Sequence, residues 1–181
     1  MLAAALAVGA CGSDGGSGNP DSGLSAEQAK APLPDGSSPR LVAIRDQANE
    51  LLGGGIDAFN GRISELEGIP IVVNDWASWC GPCRFEFPFF QAQAEERGDR
   101  IAFLGVGSDD SEEALATFLS ELPLPYPTYL DPDKDIWNEL DVSVGLPATA
   151  YYDASGELVY THQGVYRDED ALAADIDRYA K

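Results

Sequence analysis

The feature that most constrains this chain is the stretch Trp76-Ala77-Ser78-Trp79-Cys80-Gly81-Pro82-Cys83, set between the apolar run Ile71-Val72-Val73 and a helix-like segment from Arg84 to Arg97. A strand feeding through a tight turn into a helix puts Cys80 at the helix N-terminus, where free N–H groups and the macrodipole favour an anion. Cys80 and Cys83 stand at i and i+3, so they share a face and can close into a disulfide with little backbone movement. Pro82 suits the first turn, where its missing N–H costs nothing. Cysteines so placed have lowered pKa values, and the thiolate is the nucleophile. The chemistry implied is thiol–disulfide exchange, with Cys80 as an exposed nucleophile and Cys83 as the buried resolving thiol. Paired thiolates can also bind zinc or copper. Structural zinc wants about four ligands, and besides this pair the expected mature chain offers a single histidine, His162, so no metal ligands are assigned.

The run Val73-Asn74-Asp75-Trp76-Ala77-Ser78-Trp79-Cys80-Gly81-Pro82-Cys83-Arg84-Phe85-Glu86-Phe87-Pro88, with the later Gly145-Leu146-Pro147-Ala148-Thr149, resembles the thioredoxin superfamily and, within it, the TlpA/ResA-like thiol–disulfide oxidoreductases of bacterial envelopes. The resemblance covers roughly Gly53 to the C-terminus. It implies an α/β thioredoxin-like fold, a central mixed sheet flanked by helices, with a TlpA-type strand–helix insertion. It also implies a cis-proline loop at Leu146-Pro147 facing the cysteines, and X–Pro bonds are the ones that adopt cis at modest cost. Catalytic residues would then be Cys80, Cys83, Glu86 and Pro147, and Trp79, Gly81, Pro82 and Leu146 would meet the substrate. Trp76 is left to the core, since aromatic side chains often serve only as packing.

Glu86 lies one turn after Cys83 and could take its proton as a general base, with a pKa raised by partial burial; a carboxylate near a helix N-terminus is also favoured by the dipole alone. Asn74 occupies the place where thioredoxin has a buried Asp, and an amide cannot transfer a proton at neutral pH. Asp75 stands where the family usually has an aromatic residue, and strand alternation sends it to the sheet face opposite Asn74. A buried unpaired carboxylate is costly, so Asp75 must find a partner or an opening. His162 is assigned no role.

Eleven Lys and Arg against 31 Asp and Glu give a formal charge of −20. That excludes nucleic acid and anionic membrane surfaces as direct partners and reads as a solvated acidic surface. The third cysteine, Cys11, follows Leu2-Ala3-Ala4-Ala5-Leu6-Ala7-Val8-Gly9-Ala10, a run too short to span a bilayer but of signal-peptide length. Val8-Gly9-Ala10-Cys11 resembles a bacterial lipobox. We therefore expect residues 1–10 to be a signal peptide whose true start lies upstream, because no Lys or Arg precedes the apolar run. Cys11 would be lipidated, and residues 11–39, rich in Gly, Ser, Pro, Asp and Asn, would form a flexible tether. Residues 40–181 would be the thioredoxin-like domain.

Within that domain, apolar residues at 41, 44, 48, 51 and 52 predict a helix from Leu41 to Leu52 ended by Gly53-Gly54-Gly55. No element is assigned to 56–68. Strands are expected at 69–76 and 101–106, helices at 82–97, 111–122, 132–140 and 168–179, a short strand at 126–130, and a hairpin from 148–152 and 158–161. The function expected is an extracytoplasmic, lipid-anchored oxidoreductase, a monomer, needing no cofactor beyond its redox-active disulfide. By resemblance it would reduce disulfides of exported proteins such as apocytochrome c, with electrons from a membrane thiol carrier of the CcdA/DsbD type. Alternatives are a DsbE/DsbF-like disulfide oxidase, or a copper- or partner-binding envelope module. A peroxidase is disfavoured because Ala77, not Thr, stands three residues before Cys80.

Overall fold

The computed structural model describes residues 23–181. The expected signal segment, Cys11 and the expected tether as far as residue 22 lie outside the described residues. The apolar run around Val72 is a strand buried along its whole length, Ile71–Trp76. It is the fourth strand in space of a six-stranded mixed sheet ordered β1-β4-β3-β2-β5-β6. In chain order the elements are α1 (Ala26–Ala29), α2 (Pro39–Asp46), β1 (Leu51–Leu52), α3 (Gly55–Glu65), β2 (Ile71–Trp76), α4 (Gly81–Arg97), β3 (Ala102–Ser108), α5 (Glu112–Glu121), β4 (Thr128–Asp131), α6 (Asp135–Glu139), β5 (Ala148–Tyr152), β6 (Leu158–Gln163) and α7 (Glu169–Tyr179).

β2 pairs parallel with β3 and antiparallel with β5. Strands enclosed on both faces read as continuous apolar runs, as Ile71-Val72-Val73 does. Helices α3 and α6 pack together on one face of the sheet, and α4 and α7 pack together on the other. α5 joins the second group, because Gly107 of β3 sits directly against Leu115 of that helix. Trp76 is fully buried and meets Phe87 and Phe118 at ring-centroid distances of 5.0 and 4.9 Å. Among the described residues no helix is long and apolar enough to cross a membrane.

Two expectations fail near the N-terminus. The helix predicted over Leu41–Leu52 stops at Asp46, and Leu51 and Leu52 instead form the edge strand β1, paired parallel with Thr128 and Tyr129. Asn49 makes the switch: it adopts φ +63°, its N–H donates to Tyr126 O at 3.2 Å, and its Oδ1 accepts from Leu124 N at 2.9 Å. Asn tolerates that conformation better than most residues, and sheet pairing from distant residues overrides the local helical period.

The tether is also shorter than expected, because residues 24–34 lie on the domain. Ser25 caps α1 in a capping box, Ala29 is fully buried, and Leu24 N–H donates to Gln91 Oε1 at 3.2 Å. Arg45 supplies the reason. Its side chain is buried, and a buried guanidinium must find acceptors. It donates to Ala31 O and Ala94 O, each at 3.2 Å, and pairs with Glu95. Satisfying Arg45 therefore draws the 24–34 segment onto α4.

Candidate functional site

Cys80 is the N-cap residue of α4 and Gly81 the first helical residue, with Pro82 in the first turn. Cys83 N–H donates to Cys80 Sγ at 3.2 Å, so the sulfur takes the orphan donor that a Ser or Asp cap would take. Cys80 and Cys83 form a disulfide with Cα atoms 5.3 Å apart. Cys83 is fully buried as expected, but Cys80 is only 4% exposed rather than an open nucleophile. Solvent at this end of the helix meets Trp79, 61% exposed, and Phe85, 56% exposed.

The turn that delivers Cys80 is held from the β3–α5 loop. Ser78 N–H donates to Asp110 Oδ2 at 2.7 Å, and Trp79 Nε1 donates to Asp109 O at 3.1 Å. Lys134 pairs with Asp109 at 2.9 Å, which joins α6 to the same loop. Neither aspartate carries a motif that would mark it as part of the site; they belong there because the parallel β2–β3 pairing brings two strand ends together. Beside this turn a groove of ≈ 460 Å³ is bordered by Ser78, Arg84, Thr117 and Glu121. The Arg84 guanidinium lies 4.4 Å from the Phe118 ring centroid and bonds Glu121 at 2.9 Å.

The Leu146–Pro147 peptide bond is cis. Since Asp75 pairs with Ala148, this bond sits at the end of β2 from which the Cys80 turn departs. Leu146 is half-buried, while Val144, two residues earlier, is 80% exposed.

Glu86 is completely buried, not partly as expected. Its Oε1 accepts from Asn74 Nδ2 at 3.2 Å, and its Oε2 accepts from Tyr166 N–H at 3.1 Å. Burial pushes its pKa up to about 8, with the two hydrogen bonds opposing. A carboxyl one turn from Cys83 that holds its proton at neutral pH in the disulfide state suits an acid–base partner for that sulfur. Tyr166 could not be found from the sequence, because it reaches Glu86 across 80 residues through a backbone amide.

Asp75 does leave β2 by the face opposite Asn74, and neither of its carboxylate oxygens has a hydrogen-bond partner. The neighbouring Ser108 hydroxyl is turned to Asp131 Oδ2 at 3.1 Å, and Asp131 also accepts from Ile136 N and Trp137 N at the start of α6. Burial holds the Asp75 carboxyl well above the usual range against the opposing effect of the nearby Ser108 hydroxyl, and the Asp131 charge adds to the rise. His162 is half-buried against the ring of Tyr166. Among the described residues no three His, Cys, Asp or Glu side chains converge on a cage for a metal ion.

Residues 31–176 match the Redoxin family model. The chain is 29% identical over 112 residues to the thiol–disulfide oxidoreductase ResA of Oceanobacillus iheyensis, covering 60% of this chain and 57% of that protein. It thus spans little more than half the length of that curated relative. Among solved structures it is similar to the exposed lipoprotein thioredoxin Etrx1 of Streptococcus pneumoniae, with 27% identity, TM-score 0.54, and coverage of 64% of this chain and 89% of that one. It is also similar to MTB dsbF, solved in mixed oxidised and reduced forms, with 27% identity, TM-score 0.58, and coverage of 64% and 84%. The fold is thioredoxin-like.

Proposed function

This chain belongs to the Redoxin family, and from that premise we propose that it is an extracytoplasmic thiol–disulfide oxidoreductase cycling Cys80 and Cys83 between dithiol and disulfide. The observation that carries the reading is the disulfide at the start of α4 with a fully buried acid, Glu86, one turn further on. In the dithiol form the Cys80 thiolate, favoured at the helix N-terminus, attacks one sulfur of a partner disulfide. The other partner sulfur leaves and takes a proton from water. Cys83 then gives its proton to the Glu86 carboxylate and attacks the Cys80 sulfur, releasing the second partner thiolate. Glu86 ends the step protonated, in keeping with its raised proton affinity in the disulfide form. When the disulfide is reduced again the same proton returns to Cys83.

The direction we propose is reduction of disulfides in exported proteins, apocytochrome c among them, with electrons supplied by a membrane thiol carrier of the CcdA/DsbD type. The pair itself is the only redox group required. Lipidation of Cys11 would anchor a monomeric domain at the membrane, and the likeness to an exposed lipoprotein thioredoxin supports the anchoring. The second reading is disulfide donation by the same pair, and the likeness to MTB dsbF, solved in mixed oxidised and reduced forms, is compatible with either direction.

Equilibrating the purified chain against glutathione and dithiothreitol buffers and alkylating the free thiols reads the Cys80–Cys83 potential. A value near about −270 mV supports the reductase, whereas one near about −120 mV makes the protein a disulfide donor. A chain that exchanges no thiols in either buffer, or one that takes up copper stoichiometrically through both cysteines in place of turnover, overturns the oxidoreductase reading.

A further inference from the structure

Glu86 is held from two directions, and the second hold comes from a residue in a loop. Tyr166 lies between β6 and α7 and is 2% exposed, and its N–H donates to Glu86 Oε2. Loop segments generally move more than the elements they join, so an amide there presents a fixed donor only if its residue is gripped. Tyr166 is gripped by three elements. Its phenol oxygen lies 2.7 Å from Tyr151 Oη on β5 and donates to Asp175 Oδ2 on α7 at 2.8 Å. Its ring stacks on His162 of β6, with centroids 4.0 Å apart and planes 16° from parallel. His162 Nδ1 in turn stands 3.5 Å from Asp175 Oδ2.

Sheet register ties this grip to the other hold on Glu86. Asn74 pairs with Thr149, and Thr149 pairs with His162, so the three form one transverse row across β2, β5 and β6. The inner member of the row bonds one oxygen of Glu86. The outer member props the residue that bonds the other.

We propose that Tyr166 is a positioning residue for Glu86: the grip of Tyr151, Asp175 and His162 on its side chain keeps its amide on Oε2 and thereby sets the pH range in which Glu86 exchanges a proton with Cys83. The proposal rests on the reading of Glu86 as the proton partner of Cys83. The groups facing Glu86 are Asn74 from β2, the Tyr166 amide, and the phenols of Tyr126 and Tyr151, whose pKa values burial drives further up, so they stay neutral. The groups facing the Tyr166 side chain are Tyr151, the Asp175 carboxylate and His162, whose pKa is pushed down by burial against the opposing effect of Asp175. A donor aimed at a carboxylate favours its charged form, so loosening the amide makes Glu86 harder to ionise.

The test is a pH titration of the Glu86 side-chain carboxyl by carbon NMR in the full chain in its disulfide form, the signal being identified by its loss in Glu86→Gln. Wild type is expected to show a midpoint near about 8. Tyr166→Phe, which keeps the ring on His162 but loses both phenol hydrogen bonds, should raise it by about one pH unit. Asp175→Ala should raise it similarly, while Asp175→Asn, which keeps an acceptor for the phenol, should return it to the wild-type value. If Tyr166→Phe does not fold, the two Asp175 variants decide. Midpoints that stay within about 0.2 pH unit of wild type in folded variants, with only the melting temperature lowered, overturn the proposal and leave the cluster a packing device. A wild-type chain with no Glu86-dependent midpoint overturns it as well. Midpoints that move as expected in a chain that exchanges no thiols uphold the positioning role and remove only the functional reading.

Discussion

Asn74 and Asp75 are consecutive residues of one buried strand whose side chains meet opposite fates: Asn74 bonds Glu86 at 3.2 Å, whereas both carboxylate oxygens of Asp75 face no hydrogen-bond partner. The strand thus carries a buried acid's partner on one face and a second, unpartnered acid on the other. Because side chains alternate along a strand, a single step in sequence separates the two environments.

Asp75 is therefore expected to cost stability. Replacing it with Val, a β-branched residue suited to a buried strand, should raise the unfolding free energy at pH 8 by about 1–3 kcal/mol, the cost of burying a polar group without a partner. Urea denaturation of the oxidised protein measures this, and a variant less stable than wild type would show that Asp75 is satisfied in solution.

The stability of the disulfide form should fall as pH rises through the neutral range. The folded-state pKa of Glu86 is raised from 4.5 to about 8, so between those values the folded protein keeps a proton that the unfolded chain has released. The folded state then binds more protons, and stability drops by up to about 1.4 kcal/mol per pH unit, levelling off above the folded value. Asp75 acts with the same sign. Glu86→Gln should remove the Glu86 share of that slope; parallel curves for variant and wild type from pH 5 to 8 would contradict it.

Cys83→Ser should leave Cys80 joined to its partner in a mixed disulfide that dithiothreitol releases, whereas Cys80→Ser should trap little. The order follows from their placement: Cys80 caps the helix beside exposed Trp79, and Cys83 is sealed beneath it. Non-reducing gels after incubation with an oxidised protein substrate give the readout, and equal trapping by both variants would mean that either sulfur can attack.

Arg45→Ala should release residues 24–34 without touching the redox pair. The buried guanidinium bonds Ala31 O, Ala94 O and Glu95, and its loss should cost roughly 2–3 kcal/mol, less than a fully enclosed pair because Glu95 is 35% exposed. Hydrogen exchange should rise in that segment while the Cys80–Cys83 potential stays unchanged. A potential that moved would place Arg45 in communication with the site.

The parts of this protein legible in the sequence are those set by neighbours in the chain. The WCGPC turn between an apolar run and a helix, the hairpin around Asp153-Ala154-Ser155-Gly156, and the Ser111 cap of α5 each depend on residues within a few positions of one another. Spacing is enough to place Cys80 at a helix start and Glu86 one turn beyond Cys83, because the helical repeat converts sequence distance directly into direction.

Tertiary structure alone decided what those residues experience. The expected helix to Leu52 gave way to an edge strand because Asn49 bonds residues 75 and 77 positions further on, and a segment read as tether was drawn in because a buried arginine needed its carbonyl. Glu86 owes its proton affinity to complete burial, held in check by an amide 80 residues away. Asp75 owes its raised proton affinity first to complete burial in a strand enclosed on both faces, with Asp131 on the same side adding to it. Burial and the pairing of polar groups are sums over the whole packed molecule, and no local window of sequence contains them.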